Sequence, residues 1–283
     1  MIPFDFVEPA SLQEALGLLD PGDPAVRPLA GGTALMLLMK SGFFRPKRLI
    51  SLRAAGDRLT RIAPEADGSL RIGAMLSLAK LERAAEIRRD FPVIVGALRT
   101  LANIRVRNVA TLGGHLAHAD PHSDLPPVLI ALGASLVVAG PSGERRLPVE
   151  GFARGLYETA LRGDELIVEV VVPPATKRAA YLKCTTRAAD DWPALGVAVA
   201  LDGTSSITQA RIVLGAAVET PLRLTAAESL LRGKSPSPAL FAEAGSAAAE
   251  EANPIADARG SAAYKKQLVK VFVTRALTAA VAP

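Results

Sequence analysis

Cysteine is nearly missing from this chain: Cys184 stands alone among 283 residues. A single thiol excludes an internal disulfide. It also excludes a self-contained iron–sulfur cluster, which needs about four thiolates. Aromatic residues make up only 4% of the sequence, so a core has to be assembled from Leu, Val, Ile and Ala. No stacking platform for bases accompanies the scattered arginines, of which Arg99, Arg105 and Arg107 form the densest group. The net charge of +5 therefore points away from nucleic acid. It points instead to phosphates of a bound small molecule or to acidic patches on a protein partner. Long hydrophobic runs are lacking too. The longest, 128–139, is too short and too interrupted to span a bilayer, and the N-terminus has no basic flank before an apolar stretch. A soluble, cytoplasmic protein is the expectation. The usual nucleotide fingerprints are also missing. There is no G-x-G-x-x-G, and Gly233-Lys234-Ser235 lacks the upstream glycine of a P-loop, which excludes a Rossmann domain and an NTPase.

What the chain does have is apolar material, 49% of it, enough for one large domain or two of ordinary size. Ser11-Leu12-Gln13-Glu14 has the form of a capping box opening a short helix. "RPLAGGTALMLLMKSG" reads as a strand, a turn at Gly31-Gly32, and an apolar helix stopped by Gly42. "RLISL" and "SLRIGAM" read as strands, Ser77 caps a helix through about residue 87, and a further helix covers about 91–102. "LPPVLIALGA" reads as a helix begun by prolines, and "SLVVAG" and "ELIVEVVVP" as strands. The remainder changes character. "AAYLKCTTRAADDWPALGVAVALDG" and "ITQARIVLGAAV" read as antiparallel strands. Three helices follow, the first opening with a second capping box at Thr225, the others covering 239–252 and 262–280. Strands followed by helices indicate a second α+β unit, with the boundary in "VVPPATKR".

The chemistry concentrates in "TLGGHLAHADPHSD", 111–124, which holds all three histidines, His115, His118 and His122, interleaved with Asp120 and Asp124. Imidazoles and carboxylates this close are ligands that zinc or non-haem iron accepts. The spacing speaks against a metal. A helix cannot run through Asp120-Pro121, because the residue before proline is pushed out of the α region, so no histidine pair is held on one face as in H-E-x-x-H. A plain polar loop is a second reading. The third rests on the glycines. Gly113-Gly114 after a β-like "VRNVAT" lets the backbone turn sharply and bring N–H groups to an anion. Ala30-Gly31-Gly32-Thr33 repeats the device before a helix N-terminus, which carries unpaired N–H groups suited to phosphate. Two such turns point to a diphosphate held between them.

These residues carry a family resemblance. "RPLAGGTAL", "VRNVATLGGHLAHADPHSDLPPVLIALGASLVV", "YLKCTTRAADDWPALGVAVAL" and "SAAYKKQLVKVFVTRAL" together resemble the FAD-binding medium subunits of molybdenum hydroxylases, such as carbon monoxide dehydrogenase and xanthine dehydrogenase. The resemblance covers nearly the whole chain. It implies an α+β protein with a two-part FAD-binding domain of the PCMH type over 1–175, in sub-lobes of about 1–57 and 58–175. A smaller α+β domain over 176–283, an antiparallel sheet plus helices, would follow. It implies further that Leu29, Ala30, Gly31, Gly32, Thr33, Ala34 and Leu35, with Thr111, Gly113, Gly114 and His115, embrace the FAD pyrophosphate. Asp124 would bind the sugar portion, Lys183 the polar edge of the flavin, and Trp192 would lie near the isoalloxazine unless it is simply a core tryptophan. Arg187, between them, would be structural. The family usually has Asn where this chain has His115, a residue that still donates a hydrogen bond but changes charge with pH and in principle could anchor a flavin covalently. His118 and His122 read as loop polarity or partner contacts.

The implied function is that of an oxidoreductase subunit without a catalytic base or a metal of its own. Substrate would be oxidised on a large molybdenum-cofactor subunit, and electrons would cross a small [2Fe-2S] subunit. They would reach FAD here and leave for a quinone, a nicotinamide or oxygen, in a heterotrimer or a dimer of heterotrimers. The rival readings are a stand-alone flavin oxidase or reductase of the same fold, and a scaffold subunit that holds no cofactor.

Overall fold

The computed structural model describes residues 3–174 and 178–282. The expected boundary at 175/176 lies outside the described residues.

The first lobe begins with β1 (Asp5–Val7), α1 (Leu12–Gly17), β2 (Val26–Leu29), α2 (Thr33–Lys40) and β3 (Arg48–Ser51). Its strands form a parallel sheet in the order β1-β3-β2. Ser11 caps α1 as expected, its Oγ accepting from the Glu14 N–H at 3.1 Å. The Glu14 carboxylate reaches back to the Ala10 N–H rather than to that of Ser11, so the box closes one residue early. The lobe has too little apolar material to stand alone. Its core residues Ala15, Leu16, Val26 and Ile50 complete their packing with Leu59, Ala139, Leu166 and Val168 from the next lobe.

The second lobe holds β4 (Ile62–Pro64), β5 (Leu70–Gly73), α3 (Leu78–Arg83), α4 (Ala85–Asp90), α5 (Pro92–Thr100), α6 (Ile104–Val109), α7 (Leu112–His118) and α8 (Leu125–Ala131). It continues through β6 (Ser135–Gly140), β7 (Gly143–Pro148), β8 (Ala153–Gly155), β9 (Glu158–Thr159) and β10 (Leu166–Val172). Five of these strands form an antiparallel sheet in the order β4-β5-β10-β6-β7. "LIVEVVV" becomes its centre because a run of β-branched residues suits a strand covered on both faces, and every residue of β10 is buried. Charged β7 takes the edge, where unpaired strands are blunted by such side chains.

Three local expectations fail here. The single helix expected from Ser77 breaks at Ala84, whose ψ of 131° leaves the α region between α3 and α4. "VRNVAT" is helix α6 and not a strand: the Asn103 side chain accepts from the Val106 N–H at 3.1 Å. That cap outweighs the β preference of two valines. Gly113 and Gly114 lie inside the first turn of helix α7 instead of forming a hinge.

The C-terminal part is an antiparallel meander, β11 (Arg178–Cys184), β12 (Leu195–Asp202), β13 (Gln209–Gly215) and β14 (Leu222–Arg223). Helices α9 (Thr225–Leu231), α10 (Pro238–Glu251) and α11 (Ala262–Val281) follow it. The second capping box is not formed. The side chain of Glu228 accepts from the Ile212 N–H at 2.9 Å and pairs with Arg223, and α9 starts without a side-chain cap. Alternation in β12 joins the two halves of the molecule: Val197, Val199 and Leu201 face the helices, while Ala198 and Ala200 belong to the core of the second lobe. Small side chains on that face let the sheet approach α8 closely, where a Cβ on Gly215 would stand 3.1 Å from Pro127. Among the described residues no helix is long and apolar enough to cross a membrane.

Glu169 is the one charged residue in β10, only 4% exposed, and Arg58 donates to its Oε2 at 2.6 Å while Arg71 binds the same oxygen. Burial alone would raise this carboxyl; the two guanidinium groups overcome that and hold it below the usual glutamate range. Its contribution to stability is therefore complete above the ordinary glutamate pKa and is lost as pH falls through the depressed value. Glu169→Ala, which strands two half-buried arginines, is expected to destabilise the protein by about 3 kcal/mol at neutral pH in urea unfolding. The difference from wild type should shrink on acidification, and a difference that stayed constant with pH would rule the ion-paired state out.

Candidate functional site

The site begins where β2 ends. Gly32 has φ +73°, in the left-handed region that glycine occupies without strain, and it turns the chain directly into α2 with no side-chain cap. Among the described residues, no acceptor is hydrogen-bonded to the N–H groups of Gly31, Gly32, Thr33, Ala34 or Leu35. Five successive donors at the start of a helix form a concave, electropositive cradle for an anion. Gly31 fills a different need: a Cβ there would lie 2.2 Å from the Val109 carbonyl oxygen and 2.8 Å from Ala110 Cα. Only a residue without a side chain lets these two backbones touch.

That contact brings the two glycine pairs together. Thr111 is the extended N-cap of α7, and its Oγ1 accepts from the Gly114 N–H at 3.2 Å. A Cβ on Gly114 would stand 3.2 Å from Ala30 Cβ, so the second pair leans on the loop that carries the first. The pairs are nonetheless unlike. The Leu112 and Gly113 N–H groups donate to Leu76 and Ala74 carbonyls at 3.0 and 2.7 Å. The donors of this second turn are thus spent on holding α7 against the end of β5. The loop at 31–35 offers hydrogen bonds; the turn at 111–115 offers a wall.

His115 follows on that wall, half-buried, with Nε2 enclosed and without a hydrogen-bond partner among the described residues. Burial, helped by neighbouring His118 and opposed by Asp120, pushes its pKa down to about 4. The imidazole is neutral at physiological pH. An enclosed, unpaired ring nitrogen beside an anion cradle is a polar group left for a ligand.

Asp124 and Lys183 meet across the two halves of the chain. Lys183 Nζ donates to Thr100 O at 2.6 Å, Asp191 O at 3.0 Å and Asp124 Oδ2 at 3.2 Å, which commits all three ammonium protons. Tyr181, on the same face of β11 by strand alternation, donates to Asp124 Oδ1 at 2.6 Å. Burial raises the Asp124 carboxyl, opposed by Lys183 and Tyr181. Both side chains of the ion pair are 6–7% exposed; removal of either would leave a buried charge unpaired, a loss typically of about 3–5 kcal/mol. The pair holds the start of α8 to β11. Contact between Lys183 and a flavin would require giving up one of these bonds, whereas Asp124 keeps lone pairs for one further donor.

Trp192 is not a core residue. It is 52% exposed, stacked on His122 with ring centroids 5.6 Å apart and planes 9° apart, and Arg259 lies 5.5 Å above its ring. His122 bridges the domains, Nδ1 to Asp120 at 3.2 Å and Nε2 to Asp257 at 3.3 Å, while His118 stacks on Tyr157 at 4.9 Å. Among the described residues no group of three or more His, Cys, Asp or Glu side chains is arranged to hold a metal. Arg107 is buried on Glu82 and on the carbonyls of Leu101 and Ala102, so it meets neither a phosphate nor a partner. Arg187 is exposed. Sequence reading missed Tyr181, which the Tyr-x-Lys alternation could have disclosed. It also missed Asp257 and Arg259, which no local pattern links to His122.

Comparison with known proteins gives these features a context. Residues 2–175 match the family model described as the FAD binding domain in molybdopterin dehydrogenase. Residues 180–280 match the CO dehydrogenase flavoprotein C-terminal domain. The chain is 34% identical to the carbon monoxide dehydrogenase medium chain of Hydrogenophaga pseudoflava over 285 residues, covering 99% of this chain and 98% of that one. A solved structure of carbon monoxide dehydrogenase from the same organism superposes with a TM-score of 0.93 at 35% identity, over 99% of this chain and 98% of the other. Quinoline 2-oxidoreductase from Pseudomonas putida 86 does so with a TM-score of 0.92 at 30% identity, over 99% and 97%.

Gly31→Ala is expected to lower flavin occupancy at least about tenfold, read as the ratio of visible flavin absorbance to protein absorbance, because its Cβ would wedge the two turns apart. Gly96→Ala, in α5 with nothing within 4 Å of the new Cβ, should leave occupancy unchanged. Full occupancy in Gly31→Ala would remove the backbone contact from the site.

Proposed function

The chain belongs to the FAD-binding family of the molybdopterin dehydrogenases, and on that premise we propose that it is the flavin-carrying medium subunit of a molybdenum hydroxylase, relaying electrons from a partner to an external acceptor. The observation that carries this reading is the meeting of the two glycine pairs: five free backbone donors at 31–35 beside a wall at 111–115, brought together by a backbone contact that a single Cβ on Gly31 would break. The residues present fit a dinucleotide. Its diphosphate would be held by the N–H groups of Gly31, Gly32, Thr33, Ala34 and Leu35, with Leu29 and Ala30 leading into that turn. Thr111, Gly113, Gly114 and His115 close the other side. Asp124 would accept from a sugar hydroxyl with its remaining lone pairs; Lys183 fixes Asp124 and the loop before Trp192, whose exposed indole would border the flavin ring. When bound, FAD supplies the carrier that takes up and passes on electrons; the protein supplies position, charge and exclusion of water.

Two absences in the sequence fit the same role. Cys184 is the only thiol, so iron–sulfur centres belong to another chain, a small [2Fe-2S] subunit. The 29–35 loop and the 111–115 wall carry apolar residues, glycines, two threonine hydroxyls and the His115 imidazole, and the nearby Asp124 carboxylate is committed to Tyr181 and Lys183, so substrate oxidation belongs to a large molybdenum subunit. The two relatives are named for different substrates, carbon monoxide and quinoline, while sharing this fold almost end to end. Substrate choice therefore lies outside this chain, and the family fold serves the step that all of them share. The complex is a heterotrimer or a dimer of heterotrimers, in the cytoplasm.

Purification of the intact complex with flavin and metal analysis tests this. FAD, iron and molybdenum should copurify, and stripping the FAD should leave the metal centres reducible by substrate while transfer to an external acceptor stops. Acceptor reduction that continued unchanged without FAD would overturn the reading.

A further inference from the structure

We propose that His115 makes FAD binding proton-coupled: the imidazole takes up a proton as the dinucleotide enters, so the cradle grips FAD more tightly as the pH falls. This rests on the FAD reading above and adds a form of regulation to it. Its starting point is geometric. His115 stands in the first turn of α7, one residue after Gly114, which packs so closely on the anion-accepting loop that a Cβ added to it would stand 3.2 Å from Ala30 Cβ. Its Nε2 is enclosed and has no partner among the described residues.

The charged surroundings define the direction of the effect. On its own helix His115 faces His118, and in the turn after the helix it faces Asp120. Residues 29–35, opposite, contain no titratable side chain, and the Asp124–Lys183 pair is internally neutralised. Asp120 is itself engaged by His122 and Tyr157. In the free cradle only Asp120 favours a charge on His115, and burial outweighs it, holding the imidazole neutral until about pH 4. A diphosphate brings negative charge into the same enclosed space. At the effective dielectric of a protein site, one such charge about 5 Å away raises the proton affinity of an imidazole on the order of a hundredfold.

The sign follows from linkage. The pKa of His115 is higher in the FAD-bound state than in the free one. Affinity then increases as pH falls through the bound-state value and levels off below the free-state value near 4. Neither the diphosphate nor the isoalloxazine titrates between weakly acid and weakly alkaline pH, so a proton taken up there belongs to the protein.

The test uses the flavin-loaded complex. Release of FAD is followed by the fluorescence it regains on leaving the protein, across weakly acid to weakly alkaline buffers. In the wild type, release is expected to slow at least about threefold per pH unit on the acid side, where one coupled proton allows up to about tenfold. In parallel, thermal or denaturant release into weak buffer containing an indicator should liberate close to one proton per FAD at the acid end, beyond the amount from a flavin-free control. His115→Asn keeps a hydrogen-bond donor but cannot titrate; it should still hold FAD and lose the slope. His118→Asn should keep the slope. A wild-type release rate independent of pH with no proton liberated, or a slope that persists in His115→Asn, would overturn the proposal while leaving the FAD assignment standing. A complex that carries no flavin at all would overturn both.

Discussion

The contact on which the site depends is between two stretches of backbone. Gly31 lies so close to Val109 and Ala110 that a single methyl group would collide with a carbonyl oxygen at 2.2 Å. This approach joins the parallel-sheet lobe to the helical wall of the second lobe. It sets the distance between the free donors at 31–35 and the turn at 111–115, which His115 ends. Other features support the contact: the shared core under the first lobe, the bonds from Leu112 and Gly113 that pin α7 to residues 74–76, and the Asp124–Lys183 pair that closes the C-terminal sheet over α8.

The division of labour between the two glycine pairs follows from where their N–H groups go. A helix start with unpaired donors binds an anion; one whose donors are already paired cannot do so without losing protein hydrogen bonds of similar strength. Gly113 and Gly114 are glycines for space, against Ala74 and Ala30 respectively, and Gly32 is a glycine for its left-handed backbone. The same dipeptide thus serves different physical ends within one site. The histidines divide likewise: His118 and His122 are held by rings and carboxylates, and His115 alone keeps an enclosed nitrogen for a ligand.

Much of this was legible from the residues. The α+β class, the β2–glycine–α2 device, the central apolar strand at 166–172 and the C-terminal meander followed by three helices were all readable, because each is set by local periodicity or by a cap. "VRNVAT" misled because two valines outweigh one asparagine on propensity, whereas in the folded chain the Asn103 cap decides. Thr225 and Glu228 matched a capping box in spacing, but a buried backbone N–H on Ile212 and the guanidinium of Arg223 compete for the carboxylate, and only tertiary structure places them there. The free and spent donors of the two glycine turns were indistinguishable in sequence, since the carbonyls that take up the Leu112 and Gly113 N–H groups, those of Leu76 and Ala74, lie about 40 residues away in the chain. The link between His122 and Asp257 was invisible for the same reason.

Amide hydrogen exchange on the complex with FAD bound and with FAD removed tests the central claim most directly, because it reads the backbone donors themselves. Bound FAD should protect the amides of Gly31 to Leu35 strongly, while those of Gly113 and Gly114, already bonded to Ala74 and Thr111, change little. Protection gained at 113–114 with 31–35 left as exposed as before would contradict it.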